Sequence, residues 1–158
     1  MPLYRSLYDR LSSQHEAIGI IISKAGEDRL NFRYEADKWS VRDNIAHLAK
    51  YQPVFTDRIK TILREDQPRF EKYNDSEDPE FENWRKKDIP ELLNTIVTDR
   101  KILFELVTSL PESELIRSGI HYRYSKLDIV QWTEFFLLHE SHHIFTIYKM
   151  VHDTEIKL

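Results

Sequence analysis

The chain has 158 residues, 41% hydrophobic and 32% charged, the proportions of one ordinary domain long enough to bury a core. Cysteine is absent, which excludes disulfides, thiolate-ligated zinc or iron–sulfur centres and a cysteine nucleophile, and leaves seven histidines to supply any metal-binding or acid–base chemistry. A formal charge of -4 argues against a nucleic-acid partner, and the absence of an apolar leader or of any apolar run near the ~20 residues of a membrane span makes a cytoplasmic protein the expectation.

Between only three glycines and six prolines, apolar residues recur three and four apart, which predicts four long helices. The first runs from about Pro2 to about Ala25, with Leu3, Leu7, Leu11, Ile18, Ile21 and Ile22 on its buried stripe and Gly26 ending it. The second opens on Ser40 as N-cap with Asp43 three residues on, a shortened capping box, and carries Val41, Ile45, Leu48, Phe55, Ile59 and Ile62 to about Leu63. Pro53 inside it predicts a kink or a break. From Arg64 to Asp88 the chain is acidic and polar, with Asp75, Glu77, Asp78, Glu80 and Glu82 crowding its middle. It reads as a long surface crossover tucked down by Phe81 and Trp84.

The third helix starts at Pro90 and runs to about Leu110, its apolar face built from Leu92, Leu93, Ile96, Ile102, Leu103, Leu106 and Val107. Ile120 to Tyr124 alternates like an extended piece but stands alone, so a loop or lone strand is expected there and no sheet of any size. Ser125 with Asp128 repeats the capping signal, and the fourth helix runs to about His152 through Ile129, Val130, Trp132, Phe135, Phe136, Leu137 and Leu138. The expected fold is all-α, a four-helix bundle with a long crossover connection, in one domain over residues 1–158.

The informative segment is His139-Glu140-Ser141-His142-His143. At roughly 100° per residue, His139 and His143 differ by only about 40° and emerge from one helix face, one turn apart. Trp132, Phe135, Phe136, Thr146 and Met150 lie near that direction, so the pair points into the bundle, with His142 to one side. Two histidines are an incomplete site, since neutral imidazoles clamp a divalent ion in sets of three or four ligands. His47 is the best third candidate: it sits off the apolar stripe of its helix, beside Asn44, Tyr51 and Arg58. His15 and His121 compete for the role.

The segment Lys38-Trp39-Ser40-Val41-Arg42-Asp43-Asn44-Ile45-Ala46-His47-Leu48-Ala49 resembles the Trp-Ser-x-x-(acidic)-x-x-x-His-Leu opening of the second helix in the DinB/YfiT-like superfamily. The run from His139 to His143 is similar to that family's His-x-x-His-His segment on the last helix. The resemblance implies a metal held by His47, His139 and His143, in a bundle with a long crossover, and a homodimer. It departs from the fullest pattern where Ile144-Phe145 stands in place of an arginine-glycine pair.

Three imidazoles suit several ions, with zinc or nickel ahead of iron, manganese or cobalt. Relatives include transferases that join a low-molecular-weight thiol such as bacillithiol, mycothiol or glutathione to an electrophile. The expected function is therefore a metal-dependent thiol transferase acting on a small-molecule substrate. The alternatives are a hydrolase using metal-activated water and a bundle that a metal merely staples. Asp43, Asn44, Tyr51 and Glu140 are candidates to support the ligands, although the capping box already explains Asp43. Trp39 reads as a lid on the core, and Tyr122, Arg123 and Tyr124 as ordinary packing and solvated charge that could border a pocket mouth.

Overall fold

In the computed structural model, which describes residues 3–154, the first predicted helix is divided. Its pieces are α1 (Arg5–Ser13) and α2 (Glu16–Ile22), followed by the short α3 (Glu27–Asn31). Pro2, the expected start, lies outside the described residues. At the division the amides of Ala17 and Ile18 turn to the carbonyls three residues back, Gln14 and His15. Long-range polar bonds sit at this point: the Gln14 amide donates to the Leu137 carbonyl and to Glu140, and His15 is buried against Arg100. Gly26 closes no helix; in extended conformation it is the N-cap of α3.

The second helix, α4 (Val41–Arg64), opens on the expected reciprocal cap. Asp43 N–H donates to Ser40 Oγ at 3.1 Å and Ser40 N–H to Asp43 Oδ2 at 2.8 Å, an arrangement worth ~1 kcal/mol. Pro53 does not break the helix, which runs on unbroken for 24 residues. The proline ring lies on the exposed side, and the buried sides of α4 are held by α6 (Ile89–Ser109) and α8 (Ile129–His152).

The connections hold more structure than expected. The crossover contains β1 (Arg69–Phe70), a 3-10 turn at Asp75–Glu77 and α5 (Phe81–Arg85), with Phe81 buried and Trp84 half-buried as read from the sequence. After α7 (Glu112–Leu115) the chain forms β2 (Ser118–His121) and β3 (Ser125–Asp128). The lone strand is thus corrected to a three-stranded sheet in the order β1-β2-β3, with β1 parallel and β3 antiparallel to β2. The pairing partner of β2 comes from the distant crossover, which local periodicity cannot see. Gly119 is required where the sheet meets α4, since a Cβ there would lie 2.8 Å from the Phe70 ring and 3.0 Å from Ile62. Ser125 does not cap the last helix; it takes a positive φ of 63° after the hairpin turn. The cap is Asp128, in a reciprocal box with Gln131.

Two apolar clusters fill the bundle. Leu7, Phe55, Ile59, Leu103 and Trp132 belong to one, Ile18, Val41, Ile45, Leu92 and Ile147 to the other. Among the buried polar groups is Arg100, 1% exposed, which donates to Glu140, to Gln52 Oε1 at 3.0 Å and to the Leu11 carbonyl at 3.3 Å. Gln52 in turn donates to the Ile96 carbonyl at 2.7 Å. The desolvated pair is tolerated because its remaining donors and acceptors are bonded. His15 beside it is held neutral, at about 4, by burial and then by the charge of Arg100. Arg100→Met, which leaves Glu140 buried without its cation, is expected to lower stability by about 3–5 kcal/mol in urea unfolding, and the double variant with Glu140→Leu to recover most of the loss.

Candidate metal centre

Glu140, turned toward Arg100 on α6, leaves the neighbouring directions of α8 to His139 and His143, which meet His47 of α4. The Nε2 atom of His139 lies 3.1 Å from that of His47 and 3.2 Å from that of His143, and one nitrogen from each ring falls within 4.8 Å of the others. Two imidazole nitrogens about 2.0–2.1 Å from one tetrahedral ion stand roughly 3.3 Å apart, so the spacing suits a shared cation.

The outer hydrogen bonds fix which nitrogens face inward. His47 Nδ1–H donates to Asp75 Oδ1 at 2.8 Å, and His143 Nδ1–H donates to Asn44 Oδ1 at 2.8 Å. A carboxylate oxygen and an amide oxygen only accept, so both rings carry their proton on Nδ1 and turn an Nε2 lone pair to the common point. His139 Nδ1 is buried with no partner among the described residues. Lone pairs gathered so closely repel one another unless a cation or proton lies between them. A proton is disfavoured: burial, then the neighbouring His47, pushes His139 down to about 3 and His143 down to about 2. Neutral imidazole is the metal-binding form, and the donor set therefore fits a divalent ion.

The other expected participants divide. Asn44 bonds one of the three histidines, although it is His143 and not its own helix neighbour His47. Tyr51 lays its ring against His47 and His139, with centroids 5.7 and 4.8 Å away. Trp39 covers the cluster from outside, 5.0 Å from His47 and 5.9 Å from His143. Asp43 stays with its cap and pairs with Arg33 and Arg85, each at 2.8 Å. Glu140 is spent on Arg100 and Gln14 and bonds none of the three clustered histidines. The rivals serve the fold: His15 packs on Arg100, and His121 Nδ1 accepts the Arg123 and Tyr124 amides at 3.1 Å each, folding the hairpin turn. His142 is exposed on the outer side of His143.

Asp75 is the partner of the histidine cluster that sequence reasoning missed. It lies among the acidic residues of the crossover, whose composition signals only a solvated surface, and its partner is brought to it by tertiary structure. Two cavities reach the cluster. One of about 130 Å³ is bordered by His47, His139, Tyr51, Tyr73, Tyr122 and Phe135, the other, of about 520 Å³, by His143, Asn44, Trp39, Lys38 and Lys149. Tyr122 thus borders the smaller cavity, whereas Arg123 and Tyr124 line neither. Among the described residues no helix is long and apolar enough to cross a membrane.

A family model of the DinB superfamily matches residues 11–147. Among solved structures, the fold is similar to that of YfiT from Bacillus subtilis, a probable metal-dependent hydrolase with an unusual four-helix bundle topology. The TM-score is 0.84 at 18% sequence identity, over 96% of this chain and 87% of that chain. No curated protein gives a significant match. Elemental analysis of the purified protein is expected to find one divalent ion per chain, and almost none in His139→Ala or His143→Ala. Asn44→Ala, which frees the His143 ring, should weaken metal affinity about 10–100-fold in competition with a chelator.

Proposed function

Because the chain belongs to the DinB superfamily, we propose that it is a metal-dependent hydrolase of small molecules, with water as the nucleophile. The observation that carries this reading is a convergent set of three histidines with cavities beside it. Closed sets of four protein ligands serve structure, whereas three leave a side open for chemistry. A divalent ion held by His47, His139 and His143, zinc or nickel by preference, would supply Lewis acidity and make water a competent nucleophile near pH 7.

The chain's own residues supply the rest. Asp75 and Asn44 hold two imidazoles in one tautomer and orientation. Tyr51, Tyr73, Tyr122 and Phe135 line the small cavity with rings, keeping bulk water away from the reacting group. Trp39 packs on His47 and His143 and borders the larger cavity.

A second reading is a transferase in which a low-molecular-weight thiol of the bacillithiol or glutathione type replaces water. The larger cavity against His143 favours it, since a cosubstrate of that size needs such a space, and a chain without cysteine must take its thiol from outside. A panel of activated esters and amides separates the two. The metal-loaded protein is expected to release product without added thiol and to incorporate label from isotopic water, with both lost on chelation. His143→Ala should lower kcat/KM at least 100-fold. Turnover only in the presence of a thiol, with the thiol found in the product, would move the assignment to the transferase.

A further inference from the structure

Arg58 borders the same 130 Å³ cavity as His47 and His139. Its guanidinium is half-buried over the rings of Tyr51, Phe70 and Trp132, 5.8, 5.6 and 5.8 Å from their centroids. An arginine carries five N–H donors. One bonds the Tyr51 hydroxyl at 3.1 Å and one the Glu71 carbonyl at 2.8 Å, both neutral acceptors. Among the described residues no carboxylate lies within 4.0 Å of it.

This sets Arg58 apart from four other arginines that pack into the body; Arg117 also bonds backbone carbonyls, those of Ile62 and Glu65, and among the described residues no carboxylate, but it lines neither cavity beside the histidines. Arg10, Arg42, Arg85 and Arg100 each pair with a carboxylate. Removing a cation from water without a counter-ion costs free energy, and packing on ring faces offsets only part of it. The unpaired charge instead faces a cavity whose other walls are aromatic, with Lys72 at its edge as a second cation. A planar fork of donors matches a planar group with two oxygens, and a slot between rings admits a flat anion more readily than a tetrahedral one. Tyr51 joins the two halves of the cavity: its ring lies against His47 and His139 while its hydroxyl accepts from Arg58.

We propose that this cavity is a carboxylate subsite, in which Arg58 holds a free carboxylate of the substrate while the group to be cleaved lies at His47, His139 and His143. The second half of that statement rests on the hydrolase reading; the first rests on Arg58. The substrates are then small acids, and their neutral amides or esters are poor ones.

Calorimetric titration with benzoate tests the subsite, with benzamide as the neutral counterpart and inorganic phosphate as a tetrahedral anion. Benzoate is expected to bind the metal-loaded protein at least tenfold more tightly than either, and Arg58→Gln to lose at least tenfold of that affinity at unchanged metal content and Tm. The same difference between wild type and variant is expected in chelated protein, which separates Arg58 from the metal. Where Arg58→Gln fails to fold, Arg58→Lys, which keeps the charge but loses the fork, is read in its place, with intermediate affinity expected. Benzoate binding unchanged in a folded variant puts the carboxylate elsewhere and overturns the subsite. Equal binding of benzamide, or a preference for phosphate, does the same. Absent hydrolysis with Arg58-dependent benzoate binding intact overturns the function proposed above and leaves the subsite standing.

Discussion

The rotation of α8 about its own axis is the constraint on which the histidine cluster depends, and the buried Arg100–Glu140 pair restricts it together with the buried apolar face of the helix. Both side chains are 1% exposed. An unpaired charge at that depth is far more costly than any rearrangement of apolar neighbours, so Glu140 has one acceptable direction. With Glu140 turned to α6, helical geometry leaves His139 and His143 facing α4, where His47 waits. A pure hydrocarbon interface offers many near-equivalent rotations of a helix; an ion pair with bonded Gln14 and Gln52 neighbours does not.

The histidine cluster then shows how a fold can hold a cation site ready in advance. Asp75 and Asn44, from the crossover and from α4, accept the Nδ1 protons of His47 and His143 and so commit their Nε2 lone pairs to one point. Burial keeps protons away from His139 and His143. The free energy lost in crowding three imidazoles together would be recovered when a divalent ion joins them. Metal affinity and the folded state are thereby coupled through residues that never touch the metal.

What the sequence revealed and what it hid follow the range of the interactions involved. The His139–His143 spacing, the reciprocal cap at Ser40 and Asp43 and the apolar stripes of α4, α6 and α8 are encoded within one or two helical turns and could be read directly, except that Ile102, expected on the apolar face of α6, is exposed. His47 needed its polar flank and the resemblance of the Trp39–Leu48 segment. By contrast, the sheet depends on Arg69 and Phe70 finding Ile120 and His121 from a distant part of the chain. Asp75 was one acid in an acidic run until the crossover folded back on α4. Arg100 is buried by partners on other helices, Gln52 and Glu140, and the division of the first helix had no glycine or proline to announce it. Each of these is a polar group whose partner lies far away in sequence, where periodicity carries no signal.

The account stands on the identity of three ligand atoms. X-ray absorption at the edge of the metal bound to the purified protein tests it most directly. Three imidazole nitrogens at about 2.0–2.1 Å, with one or two oxygen atoms completing the shell, are the predicted result for zinc. A shell dominated by carboxylate oxygens, or one with fewer than three imidazoles, would contradict the centre built from His47, His139 and His143.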